Sequence, residues 1–281
     1  MSYIEKEFDS VKSTIKPNTV DSLKKDFISL GLKEGSIIIV HSSLSRIGWT
    51  VGGQVAVIDS LMDVITPKGT LVMPTFSSGN SEPSEWQHPP VPEEWWSTIR
   101  DNIPAFHPDK IPTRGMGTIS ETFRKYPNVI RSNHPTTSFA AWGKLAKKIV
   151  MNHPLEHDLG KSSPLGKIYD LNGQILLLGV PHLNNSSLHL AEYLCEYPGK
   201  KFVEIGSAIY VNKKRKWVIW KELDNISDDF DDIGRDYEES INYHPQKVGQ
   251  AEARLLSQRD MVDFAVKWMM KNRTEGKNNE D

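Results

Sequence analysis

Ser36-Ile37-Ile38-Ile39-Val40-His41-Ser42-Ser43 and Thr70-Leu71-Val72-Met73-Pro74-Thr75 are two short apolar runs, each ending in small or polar residues. Between them Val55, Ile58, Leu61, Met62 and Ile65 recur at helical spacing, and Pro67-Lys68-Gly69 turns the chain into the second run. Strand, loop, helix and strand make a βαβ crossover, whose right-handed connection sets the two strands parallel. Ligands gather at the carboxyl ends of such strands, where His41, Ser42, Ser43, Pro74 and Thr75 stand.

Working outward, Val20, Leu23, Phe27 and Leu30 share one helical face that stops at Gly31. Further helices are predicted near 119–125, 145–151 and 165–171, with strands at 138–142 and 174–178. The expected fold is α/β: a central, mostly parallel sheet flanked by helices. Residues 202–211 and 216–221, on either side of a turn at 212–215, predict a smaller antiparallel β annex over 202–221. Residues 77–113 carry seven prolines with Trp86, Trp95 and Trp96, so regular structure is expected to be sparse there. Such a segment is either a lid that closes on ligand or a packed surface excursion. An acidic stretch precedes a closing helix over 260–270, with Ser257 and Asp260 spaced as a capping box. One domain over 1–270 and a polar tail over 271–281 complete the expectation.

Composition narrows the function. The 281 residues hold 34 Lys+Arg and 36 Asp+Glu, a net charge of −2, and no block of five or six basic residues, so a nucleic-acid partner is not expected. Apolar runs such as 175–180 fall far short of the roughly 18 residues that cross a bilayer, and no apolar signal core opens the chain. A cytoplasmic protein without a membrane partner is expected. Cys195 is the single cysteine, which rules out an internal disulfide and a cysteine-built zinc site. No metal is expected.

Several motifs fail on inspection. Gly160-Lys161-Ser162 lacks the upstream glycine and strand of a P-loop, and Gly115-Met116-Gly117 lacks the third glycine of a dinucleotide fingerprint. The loop from His41 through Ser42, Ser43, Leu44 and Ser45, with Gly48, Gly52 and Gly53 beyond it, suits an anion cradle or an ordinary strand-to-helix loop. Arg114 beside Gly115 adds a charged fork. In Asn185-Ser186-Ser187-Leu188-His189-Leu190-Ala191-Glu192 helical spacing puts Glu192 beside His189, a base with its orienting carboxylate, and Ser186 or Ser187 as caps. A helix start carrying a surface histidine fits that spacing equally well. The run Asp224, Asp228, Asp229, Asp231 and Asp232 reads as a solvated surface or a field for a cationic substrate.

Taken in order, His41-Ser42-Ser43-Leu44, Gly52-Gly53, Met73-Pro74-Thr75-Phe76, Arg114-Gly115-Met116-Gly117, Arg131-Ser132-Asn133-His134-Pro135, Ser138-Phe139-Ala140-Ala141-Trp142-Gly143, Asp158, Ser163-Pro164-Leu165-Gly166, Leu178-Gly179 and His189-Leu190-Ala191-Glu192 resemble the aminoglycoside 3-N-acetyltransferase family. This family of antibiotic acetyltransferases is distinct from the GCN5-related fold. The resemblance implies transfer of acetyl from acetyl-CoA to the 3-amine of a 2-deoxystreptamine aminoglycoside, by direct attack of the amine on the thioester. It implies His189 as general base, Glu192 as its acidic partner or a substrate contact, and Thr75 near the thioester oxyanion. CoA is expected against His41, Ser42, Ser43, Leu44 and Ser45 and against Arg114, Gly115, Met116, Gly117 and Ser120. Asp158, Glu192, Glu222 and Asp224 are the carboxylates expected around a polyamine. Acceptor choice is not fixed by fold. Another amine, hydrolysis through His189, and a silent CoA-binding protein stand as alternatives.

Overall fold

The computed structural model describes residues 3–274. Helix α1 (Tyr3–Ser13) leads to α2 (Val20–Leu30), which opens on a Thr19–Ser22 capping box and closes at Gly31 with φ +112°. Its buried residues are Leu23, Phe27 and Leu30, the face that the spacing predicts. Strands β1 (Ile37–Ser42) and β2 (Thr70–Pro74) pair in parallel, Ile37 opposite Thr70, joined through α3 (Leu44–Ile47) and α4 (Gly53–Ile65). The chain then makes its excursion over 77–113, containing α5 (Trp96–Asn102), and returns through α6 (Gly117–Phe123), β3 (Ile130–Arg131) and β4 (Phe139–Gly143). Helices α7 (Ala146–Val150) and α8 (Pro164–Asp170) precede β5 (Gln174–Leu178), and α9 (Ser187–Leu194) follows it. The hairpin of β6 (Phe202–Val211) and β7 (Lys214–Leu223), then α10 (Phe230–Ser240), β8 (Gln246–Val248), β9 (Ala251–Ser257) and α11 (Gln258–Asn272) finish the described chain.

The main sheet runs β3-β4-β2-β1-β5-β9-β8, and the β6–β7 hairpin forms the separate annex. The α/β class and the annex match the sequence reading; the strand directions correct it. β2, β1 and β5 run parallel, while β4 on β2, β3 on β4, β9 on β5 and β8 on β9 are antiparallel. The sheet is therefore mixed, with a parallel centre. β9 escapes periodicity because its inward positions include Ala251 and Ala253, residues of low strand propensity that only the neighbouring β5 holds extended.

The central strands are apolar through their middles, at Ile37–Val40, Leu71–Met73 and Ile175–Leu178, because both faces are covered. Ile38 and Val40 of β1, with Leu176 and Leu178 of β5, pack with Leu23, Phe27, Leu61 and Phe123 on one side. Ile39, Ile175 and Leu177 pack with Leu165, Leu188, Phe230 and Val262 on the other. This alternation fixes the register, because a one-residue slip would exchange the two cores. Among the described residues no helix is long and apolar enough to cross a membrane.

The 77–113 segment is better ordered than its composition predicts. It holds α5 and lies on the annex: Asn80 Nδ2 donates to Ser207 Oγ at 3.0 Å, the Phe106 amide to the Ala208 carbonyl at 2.8 Å, and Arg215 Nε to the Ile103 carbonyl at 2.8 Å. Arg131 ties its far end to the sheet, donating to the carbonyls of Pro108 at 2.9 Å, Ile111 at 2.5 Å and Thr75 at 2.6 Å. The tail begins later than expected: α11 continues through Asn272, and Arg273 is buried. Residues 275–281 of the expected tail lie outside the described residues. At the start of α11, Ser257 Oγ accepts from the Asp260 amide at 3.3 Å.

Arg131→Met is expected to destabilise the fold by about 3 kcal/mol, because buried carbonyls lose a charged donor, and to open residues 77–113 to limited proteolysis. A variant with the wild-type melting temperature and cleavage pattern would refute the tethering role.

Candidate active site

At the carboxyl ends of β1 and β2 lies a cavity of about 570 Å³. One wall is His41, Ser42, Ser43, Leu44 and Ser45; the other is Gly115, Met116, Gly117 and Ser120. Gly115 and Gly117 have φ of +75° and +77°, conformations that favour glycine and let backbone approach a ligand closely. Arg114, next to this wall, is exposed and donates to the His88 carbonyl at 2.7 Å. Glu7 and Ser10 of α1, together with Trp49 and Thr50, complete the rim and carry no motif that would have flagged them. Asn184 and Ser186 line the side nearest α9.

His41 is buried, and its Nε2 has no hydrogen-bond partner among the described residues. Burial, followed by the charge of His189, lowers its pKa to about 3, so the ring stays neutral.

Helix α9 carries His189 and Glu192 one turn apart, as the spacing predicts. Its first amides are served differently from expectation: Asn185 Oδ1, rather than Ser186 or Ser187, accepts from the Ser187 amide at 3.1 Å. His189 Nδ1 donates to Glu192 Oε2 at 2.6 Å, and the Phe230 ring lies 4.8 Å away, centroid to centroid. A carboxylate on Nδ1 leaves the lone pair on Nε2, the tautomer a general base needs. Glu192 is fully buried, and its Oε1 accepts from Arg273 Nη1 at 2.8 Å, the Ile226 amide at 2.9 Å and Tyr197 OH at 3.3 Å. Burial alone would raise the Glu192 carboxyl; the His189 contact, Arg273 and the Ile226 amide together hold it below the usual carboxylate range. Both Glu192 oxygens are engaged within the protein, and the side chain has no exposed surface.

Thr75 sits in the join between β2 and β4. Its hydroxyl and its amide both donate to the Ser138 carbonyl, at 3.0 and 2.8 Å, and Arg131 Nε donates to its Oγ1 at 3.1 Å. Both donors join β2 to β4. Ser43, whose Oγ lies 3.3 Å from Ser45 Oγ, keeps a hydroxyl on the cavity wall.

Of the acidic candidates, Asp158 and Glu222 come together and Asp224 does not. The Asp158 amide donates to Glu222 Oε2 at 3.1 Å, and Tyr193 OH reaches both carboxylates, Asp158 Oδ1 at 3.2 Å and Glu222 Oε1. Thr137 Oγ1 donates to Asp158 Oδ2 at 2.7 Å. Burial pushes both carboxyls up, and for Glu222 the neighbouring Asp158 adds to the rise. Asp224 forms a partly exposed pair with Lys201 at 3.0 Å. Tyr193 was missed, although its place four residues after His189 on one helical face was legible. The acidic run is not simply solvated, since Asp229 meets Arg273 and Asp231 Oδ1 accepts from the Leu183 amide at 2.8 Å.

Comparison with known proteins gives the chain its relatives. The chain is 49% identical over 263 residues to the SPbeta prophage-derived aminoglycoside N(3')-acetyltransferase-like protein YokD of Bacillus subtilis (strain 168), covering 93% of this chain and 96% of the relative. The crystal structure of YokD superposes with a TM-score of 0.91 at 48% identity, over 94% of this chain and 98% of that one. Aminoglycoside N(3)-acetyltransferase IX of Micromonospora chalcea is 32% identical, over 90% of this chain and 94% of its own. A solved structure of AAC-IIIb in binary complex with CoASH aligns with a TM-score of 0.83 at 29% identity, over 92% and 99% of the two chains. The family model for aminoglycoside 3-N-acetyltransferase matches residues 39–270, and the chain belongs to that family of enzymes.

Proposed function

We propose that this protein transfers acetyl from acetyl-CoA to the 3-amino group of a 2-deoxystreptamine aminoglycoside, with His189 as general base. The observation that carries the reading is the position of the His189–Glu192 pair. His189 Nδ1 meets the fully buried Glu192 carboxylate at 2.6 Å while its own side chain keeps 18% exposure, a base held in one tautomer.

The cavity residues fit CoA: hydroxyls of Ser42, Ser43 and Ser45 and the glycine turn at 115–117 offer donors and close backbone approach. Acetyl-CoA, when bound there, supplies an activated acetyl thioester. The amine forms the new C–N bond to the acetyl carbon as the C–S bond breaks; His189 Nε2 accepts the amine's proton and passes it to the departing CoA thiolate, and Glu192 keeps the imidazole in the required tautomer. The Ser43 hydroxyl is the side-chain donor in place for the carbonyl oxygen. Asp158 and Glu222 recognise an ammonium group of the acceptor, whose charge favours their ionised forms against the burial that opposes them. A cytoplasmic site of action suits a CoA-using enzyme with a free thiol at Cys195.

Thiol release from acetyl-CoA, followed with an aminoglycoside panel and with polyamine controls, tests the reaction. Release that requires a 2-deoxystreptamine compound and falls by about 10²- to 10⁴-fold in His189→Ala is expected. Amine-independent release points to hydrolysis, and inert aminoglycosides with intact CoA binding move the acceptor to another amine.

Glu222→Gln tests the acidic pair. A carboxyl whose folded pKa is raised supports the fold below its unfolded pKa, and that support is lost as pH rises through the folded value. The wild type should therefore lose stability relative to Glu222→Gln as pH climbs from about 4.5, while the variant's KM for the acceptor rises about tenfold. Parallel stability curves together with an unchanged KM would remove Glu222 from acceptor binding.

A further inference from the structure

The end of the described chain reaches the reacting centre. Arg273 follows the last turn of α11, beyond the span 39–270 that defines the family match, yet its side chain is 7% exposed. Its guanidinium is committed on every edge. Nη1 donates to Glu192 Oε1 at 2.8 Å, Nε and Nη2 grip the two oxygens of Asp229 at 2.8 Å each, and Nη2 also donates to the Ile226 carbonyl at 2.9 Å. The Tyr197 ring lies beneath it at 4.6 Å. Glu192 in turn holds His189 through its other oxygen at 2.6 Å.

We propose that Arg273 is a positioning residue for acetyl transfer, locking Glu192 from behind through an Asp229–Arg273–Glu192–His189 chain that sets how strongly His189 holds a proton. The inference rests on His189 acting as the base. Arg273 supplies the one charged contact on Oε1, beside the Ile226 amide and the Tyr197 hydroxyl, and so helps hold the terminal torsion that orients the imidazole. Four contacts on Oε1 and Oε2, three of them from outside α9, leave one orientation.

Charge makes the chain tunable. The charged and titratable groups facing His189 are Glu192 on its own helix, His41 from β1 and Asp158 from the 151–163 connection. Those facing Glu192 are Arg273 and the hydroxyl of Tyr197, with Asp229 behind Arg273 and the buried Cys195 thiol nearby. Arg273 offsets the two carboxylates. Neutralising it leaves Glu192 and Asp229 uncompensated, which favours the imidazolium; neutralising Asp229 leaves the cation free to act on Glu192 alone, which disfavours it. The two substitutions therefore act in opposite directions, a signature that loosened packing does not produce.

The test is a histidine-ring NMR titration of the full chain without substrate, with the His189 signal assigned by His189→Ala. Arg273→Gln is expected to raise the His189 midpoint by about one pH unit, Arg273→Lys to restore most of the wild-type value, and Asp229→Asn to lower it. The acid limb of kcat/KM for acetyl transfer should move with each midpoint, and KM for acetyl-CoA should stay within about twofold. If Arg273→Gln does not fold, the sign of the Asp229→Asn shift decides. A His189 midpoint that ignores both substitutions in folded protein overturns the proposal while leaving the acetyltransferase reading intact. A wild type that transfers no acetyl group, but whose His189 answers both substitutions, overturns that reading instead and leaves the coupling standing.

Discussion

Burial of β1 on both faces is the constraint from which the rest follows. Ile38 and Val40 look into one core and Ile39 into the other, so the strand has no freedom to slide or turn over. Its two parallel neighbours, β2 and β5, are held in register against it, and all three end on one side of the sheet. The loop beginning at His41, the link at Thr75 and the approach to α9 are delivered to a common place by that alignment. No polar interaction inside the site could collect these segments alone, because each is short and would be solvated in an unfolded chain.

Around that centre the polar groups divide into those that hold and those that face a ligand. Thr75, Ser138 and Arg131 share hydrogen bonds that close the β2–β4 link and anchor the 77–113 excursion. Their presence among the family-like motifs reflects architecture. On the cavity wall His41 is kept neutral by burial, while His189 remains 18% exposed and paired with a buried carboxylate. Two buried acidic systems flank this histidine. One, Glu192 with Arg273, is fully compensated and rigid. The other, Asp158 with Glu222, shares a tyrosine hydroxyl, and burial opposes the charge of both carboxylates.

Much of this was legible before the fold was seen. Helical spacing located α2 and α4, the apolar runs located β1, β2 and β5, and the three-residue interval placed Glu192 against His189. The motif order led to the family. What escaped shares one property, separation along the chain. Thr75 meets Ser138 across 63 residues, Asp158 meets Glu222 across 64, and Glu192 meets Arg273 across 81. Arg114 stood next to a cavity-lining turn yet points to the His88 carbonyl, 26 residues away, since a long side chain chooses its partner from the whole neighbourhood.

The amino-acid sequence by itself determined the local periodicities, the βαβ centre, the hairpin annex and the histidine–glutamate pair, because helix and strand repeats and contacts one helical turn apart depend on neighbours in the chain. The tertiary structure alone decided the antiparallel flanks, the intraprotein partners of Thr75 and Glu192, the meeting of Asp158 with Glu222, and the return of Arg273 to the site. Those outcomes turn on which donors, acceptors and charges are buried together, and burial is a property of the packed chain that no local spacing encodes.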